Sequence, residues 1–328
     1  MNSLKIIVNL MLVCCIVSLS SVEVLAITAK AKATLVVVGE DGLPIEGADV
    51  GITFQYDKSW ETGVRGKEGM SDEKGRFSAS GSGNGHISYG AEKEGYYKSH
   101  YVYDFTEKGI MGWMPWNPDL MVVLRKIENP VPMYARDTVQ SMIEIPIVEK
   151  EVGFDLVAFD WIAPYGRGSH SDFIFKLERN VVDRKNFDGT LIITFPNKFD
   201  GIQSFRENLS RGSVFKLLRF APESGYENTL ILKEWRKPND YSVKRNFNFV
   251  DDDYNYFFRI RSEEKDGQLV KAMFGKILGP IDFTVVFSKT AKIYFKYYLN
   301  PDYTRNLEFD PKRNLFGSLP LLEQVGIQ

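Results

Sequence analysis

Apolar residues in this chain occur in two kinds of run. One, Ile6–Leu19, is almost unbroken, with Asn9 as its interruption. The later ones are short, alternate with polar residues and stop at glycine, proline or clustered Asp and Asn. Successive side chains on a strand point to opposite faces, so such alternation predicts half-buried strands. Leu35–Val38 and the Ala48, Val50, Ile52 alternation fit, separated by the turn chemistry of Gly39-Glu40-Asp41-Gly42 and Gly47. Ser71–Phe77 is a second turn feeding a strand, Ile87–Tyr97 reads as strand, turn and restarted strand, and Leu120–Leu124 closes the set. Two longer connections stand out: Tyr56–Met70, which carries Trp60, and Thr106–Pro118, which contains Gly112-Trp113-Met114-Pro115-Trp116.

Farther on, Phe173, Phe175 and Leu177 alternate with Ile174, Lys176 and Glu178, and Thr190–Phe195 is a buried-type run stopped by Pro196. Leu230–Trp235, Tyr254–Arg261, Phe283–Phe287 and Lys292–Leu299 are further strands. In Tyr254–Arg261 the alternation predicts Tyr256, Phe258 and Ile260 on one face, with Phe257, Arg259 and Arg261 on the other. Helical periodicity is scarce, and Ile202–Leu209 is the best short candidate. The tail Tyr297–Pro311 is polar with regularly spaced aromatics, suited to lying across a sheet face. The expected fold is all-β: one sandwich followed by a second, larger antiparallel sandwich. Pro130 and Pro132 favour extended backbone outside a ladder, so residues 127–142 are expected to link a first domain at 33–126 to a second at 143–328.

The unbroken run changes the picture of where this chain works. Lys5 precedes it, and Val24-Leu25-Ala26 puts small or β-branched residues where a signal peptidase reads them. This is the three-part layout of a secretory signal over residues 1–26, too short to be read as a membrane span. Both cysteines, Cys14 and Cys15, lie inside it, so cleavage removes every thiol. Val13 is a poor residue to precede a lipid-modified cysteine, which favours a free exported protein, whether periplasmic, cell-surface or secreted. No later segment is apolar enough for a transmembrane helix. The formal net charge is −2. Residues 33–126 hold 10 Lys/Arg against 14 Asp/Glu, and residues 143–328 hold 27 against 26. Neither half has the basic surplus on which nucleic-acid binding depends.

The order GLPIEGADV (residues 42–50 with the preceding turn), SDEKGRF, EKEGYY and MVVLRK across Ala33–Lys126 resembles the carboxypeptidase regulatory-like family. That resemblance implies a transthyretin-like, immunoglobulin-type sandwich and an accessory role in spacing, docking or binding. None of the matched positions is catalytic in that family. The glycines within it, Gly42, Gly47, Gly75 and Gly95, are explained by turns that need a positive φ or close approach. The second half is similar to C-terminal parts of uncharacterised secreted bacterial proteins, a similarity that implies no activity.

Candidate chemistry is sparse. His86, His100 and His170 are the only histidines, and no two share metal-ligand spacing. The glycine-rich Gly81–His86 lies between strands and opens no helix, so it lacks the donor array of a phosphate loop. Tyr165–Asp172 brings Ser169, His170 and Asp172 together just after Asp160-Trp161. Neighbours on an extended chain diverge, however, and no strand–elbow–helix context surrounds them. If that cluster acts, Asp160, Trp161, Arg167 and His170 suit binding of a polar ligand better than acyl transfer. Asp251-Asp252-Asp253 could lend ligands to calcium but cannot all face one ion. No cysteine, histidine or carboxylate set calls for a cofactor or metal, and no carboxylate pair is marked out as a glycosidase site. Asn208-Leu209-Ser210 fits the N-glycosylation pattern.

Trp113 and Trp116 admit two readings: they fold back over a sheet edge, or they form an exposed platform for a sugar or a protein. The leading expectation is a non-enzymatic exported protein with structural, docking or ligand-binding work, its partner a protein or a polysaccharide. The alternative is a carbohydrate-binding or carbohydrate-active protein with the first domain as accessory.

Overall fold

The computed structural model describes residues 28–58, 61–207, 209–246 and 254–327. The expected signal segment with Cys14 and Cys15, Trp60, the sequon residue Asn208 and Asp251–Asp253 lie outside the described residues. The first half contains β1 (Ala29–Gly39), β2 (Asp49–Lys58), β3 (Glu61–Met70), β4 (Arg76–Gly83), β5 (His86–Glu92), β6 (Tyr96–Tyr97), β7 (Ser99–Asp104), β8 (Glu107–Lys108), β9 (Trp113–Met114) and β10 (Asp119–Lys126). The second begins with β11 (Tyr134–Asp137), β12 (Ile143–Glu144), β13 (Glu151–Asp155), β14 (Asp160–Trp161), β15 (Phe173–Asp183) and β16 (Asn186–Thr194). It continues through β17 (Gly201–Arg206), β18 (Gly212–Ser213), β19 (Thr229–Arg236), β20 (Lys244–Arg245), β21 (Tyr254–Lys265), β22 (Gln268–Thr284) and β23 (Lys292–Asn300). Among the described residues there is no α-helix; single 3-10 turns lie at Pro311–Arg313 and Leu321–Glu323. The protein is all-β.

In the first sandwich a sheet ordered β4-β1-β10-β6 faces one ordered β18-β7-β5-β2-β3. β1 and β10 run parallel, with Leu35 opposite Leu120 and Val37 opposite Val122. Ala31, Ala33, Leu35 and Val37 from β1 share a core with Val50, Ile52 and Phe54 from β2 and with Ile87 and Tyr89 from β5. This alternation is the one the apolar pattern predicts. Gly75 shows why its turn requires glycine: φ is +71°, and a Cβ there would run into the Val37 carbonyl oxygen.

The expected Tyr56–Met70 connection is instead largely a strand, β3, in register with β2 from Asp49↔Met70 to Lys58↔Glu61. Its glycines hid it from an alternation search. Gly69 makes room for the Phe77 ring and Gly63 for the Tyr56 ring. The expected Thr106–Pro118 loop holds a small hairpin, β8 with β9.

The second sandwich pairs a sheet ordered β11-β23-β22-β21-β17 with one ordered β14-β13-β15-β16-β19-β20. Between them lie Phe154, Phe173, Phe175, Leu191, Phe258, Ile277, Phe283 and Tyr297, all almost fully buried. The outer face of the first of these sheets is covered as well. Phe257, Phe274 and Tyr298 pack there against Leu217, Leu307 and Phe309. Tyr254–Arg261 is therefore apolar on both faces, and Arg259 is buried with its guanidinium donating to the Phe199 and Glu223 carbonyls. Ile202–Leu209 is not helical; its first part is β17, pairing Ile202 with Phe258. A six-residue apolar-polar alternation at a sheet edge cannot be told from one helical turn by periodicity.

The segment expected as a free linker, 127–142, is woven into the second sandwich. β11 pairs with β23, Val131 N–H donates to the Glu308 carbonyl, and Thr138 exchanges bonds with Phe295. Val131 between the prolines and Met133 and Ala135 after them are buried, an edge-strand pattern that the prolines disguise. Susceptibility to proteolysis follows the burial and bonding of the backbone. Limited trypsin digestion read by mass spectrometry should therefore show no early cut at Arg136, whose side chain pairs with Glu323 and lies over the Phe159 ring. A first cut there would mean that the segment is a linker after all.

Candidate functional site

The sequence cluster around Ser169 and His170 folds onto the end of the second sandwich. β13 and β14 form a tight hairpin, and the chain returns through residues 162–172 into β15. Asp155 is 1% exposed and organises the turn. Its Oδ1 accepts from Val157 and Ala158 N–H, and its Oδ2 from Ser169 N–H, Ser169 Oγ and His170 N–H. Arg261, reaching across from β21, donates to Asp155 at 2.9 Å and to both oxygens of Asp172 at 2.7 and 2.9 Å. Asp172 in turn accepts Leu156 N–H at 2.8 Å.

The two carboxylates differ although they share one guanidinium. Burial would raise Asp155, but the Ala158, Ser169 and His170 amides and Arg261 outweigh it and hold this acid below its ordinary range. Asp172 is raised, because desolvation exceeds what Arg261 and the Leu156 amide return. The cluster is a clasp tying the β13–β15 loops to β21.

This geometry does not build a nucleophile. Ser169 Oγ sits between Asp155 and His170 Nδ1, at 3.2 and 2.8 Å. In a catalytic triad the histidine stands between serine and acid and is oriented by the acid. Here His170 Nδ1 is 3.9 Å from Asp155, whose oxygens are occupied by amides. Nor do the four residues suggested for a polar ligand converge. Trp161 is 8% exposed and packs edge-on against Phe154 and Phe175 in the core. Asp160 accepts Trp161 and Arg167 N–H, which occupies its carboxylate within the loop. The Arg167 side chain is 97% exposed, and the His170 imidazole points outward as well.

The tryptophan pair belongs to the first sandwich, and its two members part company. Trp113 donates Nε1–H to the Gly83 carbonyl at 2.9 Å, lies against Gly85 and packs on the first core. Trp116 is 44% exposed beside Gly112. They do not form a joint platform.

A third site was invisible in the sequence: the joint between sandwiches. β18 adds to the free edge of β7, so the second half of the chain completes a sheet of the first. Arg125, at the end of β10, donates to the Phe215 and Leu217 carbonyls at 2.9 and 2.6 Å and lies over the Phe215 ring. Arg219 donates to the Lys126 carbonyl and pairs with Glu40, Glu128 and Glu308. Glu308 is fully buried and also accepts Tyr97 Oη–H and the Glu128 and Asn129 N–H groups. Burial would raise its pKa, but these amides with Arg219 and Tyr97 lower it. Lys276 is fully buried nearby, its ammonium 5.1 Å from the Phe215 and Tyr298 ring centres. Burial, helped by Arg125 and opposed by Glu308, pushes it down to about 7.

The outer face of β3, β2, β5 and β7 forms an open groove of about 770 Å³. Gly51, Gly90 and Ser88 lie in its floor, with Glu68, Glu92 and His100 among its charged or polar borders.

No family model matches this chain, and no curated protein matches it. Among solved structures it is similar to the shaft pilin SpaA of Lactobacillus rhamnosus GG, in a point mutant and in a second crystal structure. The identities are 13% and 12%, each covering 75% of this chain and 93% of that one, with TM-scores of 0.23 and 0.20. It is also similar to BcpA, the major pilin subunit of Bacillus cereus, at 10% identity over 76% of this chain and 64% of that one, with a TM-score of 0.22. At such TM-scores the likeness carries no argument about function.

Three outcomes test this account. Arg261→Ala leaves two buried acids sharing no cation and should cost about 3 kcal/mol in urea unfolding, whereas Arg167→Ala should leave the midpoint unchanged. Trp113→Ala should likewise destabilise, by roughly 3 kcal/mol, and Trp116→Ala should not.

The third outcome concerns Lys276. Its folded pKa lies below the ordinary lysine value of about 10.5, so the unfolded chain binds more protons between about 7 and 10.5. Stability should therefore rise with pH from 7 towards 9.5. Ionisation of the unfolded tyrosines then reverses the trend, because Tyr226 and Tyr256 are held up at about 12 in the fold. Lys276→Met should flatten the rise in thermal melts taken across that range.

Proposed function

We propose that this chain is an exported, non-enzymatic structural or docking protein of the cell envelope or extracellular space, in which two β-sandwiches act as one stiff body. The observation that carries this reading is the joint. A strand from the second half closes a sheet of the first, and a fully buried carboxylate from the tail accepts bonds from both. Inter-domain contacts within a chain are ordinarily polar and permissive of motion. This one is locked by a shared sheet and a multiply bonded ion pair, as a spacer or scaffold requires.

The resemblance of residues 33–126 to carboxypeptidase regulatory-like domains supports the same reading, since such modules space and dock. The carbohydrate alternative rests on Trp116, because Trp113 is committed to packing.

Export supplies one check. β1 starts at Ala29, and Ala31 is 1% exposed in the first core. Intact mass of the secreted product should place its first residue at Ile27 or Thr28. A start a few residues later, at Lys30 or Lys32, would strip paired residues from β1, and a product retaining Met1 would overturn the export reading.

The joint supplies the other. Calorimetry of the whole protein should show a single transition. Glu308→Gln removes the charge while keeping the shape; it leaves Arg219 underpaired and should cost about 3 kcal/mol, splitting the transition or lowering it. Two transitions in the unaltered protein would mean that the sandwiches are independent, and the stiff-body reading would fail.

A further inference from the structure

The groove on the outer face of β3, β2, β5 and β7 is kept open by a glycine that the fold does not require. Gly51 faces Glu68 on one side and Gly90 on the other, and Gly90 faces His100, so one row across the sheet reads Glu68, Gly51, Gly90, His100. Gly90 has a reason within the sheet: a Cβ there would lie 2.4 Å from the Ser99 carbonyl oxygen. Gly51 has none. Its φ is not positive, and a Cβ would meet nothing nearer than Glu68 Cγ at 3.8 Å. Gly66, on the same face and opposite Thr53, has nothing within 4 Å. At Gly63, Gly69, Gly153 and Gly275, by contrast, a Cβ would press on another side chain. Glycine weakens a strand interior, and where the strand does not need it, it leaves room for a ligand or another backbone to approach closely.

Charge indicates what approaches. Asp49 and Glu92 form one bank of this row, and Thr53 and Ser88 continue the floor on its other side. Asp49 and Glu68 make no ion pair or hydrogen bond among the described residues, whereas Glu92 pairs with Lys98 at 3.1 Å. Strand alternation puts five carboxylates on this face, at 49, 57, 68, 92 and 104, against one lysine, Lys98. Even with His86 and His100 both protonated, the face would stay acidic. Arg65 and Lys67 lie on the opposite face of β3, Arg65 over the Tyr56 ring. An acidic trough favours a cationic occupant. From Glu68 to His100 it crosses four strands, about 14 Å, the length of about four extended residues. Its one aromatic lining residue, Tyr89, is stacked on Tyr101 in the first core, which leaves no ring in the groove for a sugar to stack on.

We propose that this groove binds an extended, lysine- or arginine-bearing peptide segment of a partner protein, its backbone lying over Gly51 and its cations on Asp49 and Glu68. The inference rests on the docking part of the proposed function and names its partner class. It is independent of the stiff joint, since β2, β3, β5 and β7 share one sheet of the first sandwich.

The test uses the exported full chain and a fluorescein-labelled peptide of four Lys-Gly repeats, read by anisotropy at low ionic strength. The peptide should bind saturably and more weakly as salt is raised. Asp49→Asn with Glu68→Gln should weaken binding about five-fold. Gly51→Val changes no charge but fills the trough, and should weaken binding about ten-fold. Its melting temperature should hold or rise, because valine favours a strand. Should Gly51→Val melt early, Gly51→Ala replaces it, since its single methyl sits at ordinary contact distance.

Absence of binding to the unaltered protein would overturn the proposal. Equal binding by a folded Gly51 variant would overturn it too, reducing the attraction to non-specific charge. Displacement of the peptide by a neutral glucan, lost in the Gly51 variant, would assign the trough to a polysaccharide and likewise overturn it. Each of these results leaves the calorimetric test of the joint untouched, so the two readings fail separately.

Discussion

The architecture depends on one buried carboxylate. Glu308 lies at the meeting of the two sandwiches with no solvent contact, and an isolated ionised group in that position would be far too costly to keep. It is kept because four donors reach it: two backbone amides of the interdomain segment, the Tyr97 hydroxyl and the Arg219 guanidinium. Such an arrangement seldom adds much net stability over an apolar substitute, but losing one partner is expensive. Its consequence is geometric. The donors come from 97, 128–129 and 219, so the first sandwich, the joining segment and the second sandwich are all positioned by one group.

The joint explains several otherwise separate features. Arg219 cannot turn toward Glu308 without also meeting Glu40 and the Lys126 carbonyl, which places the end of β10. Arg125 then fastens the 215–217 carbonyls, and the same short stretch leads from β18, which has just paired with β7. Phe215 packs beneath both arginines and above Lys276. Burial under the aromatic ring, helped by the Arg125 guanidinium and opposed by Glu308, lowers the pKa of this lysine. The Asp155–Arg261–Asp172 clasp follows the same logic at the far sheet, where a cation ties loops to a strand remote in sequence.

Both clusters show why residue type alone misleads about chemistry. Ser169, His170 and an aspartate do come together, but the aspartate is Asp155, and its lone pairs are spent on the turn it holds. Trp161 follows Asp160 in a stretch that reads as a polar site, yet its ring belongs to the core. Polar side chains near tight turns are usually occupied by backbone, since buried N–H groups need acceptors.

The chain's alternating apolar residues by themselves determined the all-β build, most strand positions and the glycines at the turns near 42, 47, 75 and 95, all of which have positive φ. These are local matters: strand period and backbone sterics act over a few residues and are written in order along the chain. The same local reading missed β3, where glycines leave room for rings contributed by other strands, and β11, where prolines flank buried residues. It also could not show that β21 is covered on both faces, because the covering tail lies some fifty residues later. Only the tertiary structure decided that Glu308, Arg219 and Tyr97 meet, and that Trp113 is half-buried against the first core while Trp116 is exposed. Charge pairing and burial depend on distances in space, and residues 211 positions apart in sequence give no sign that they are 2.8 Å apart in the fold.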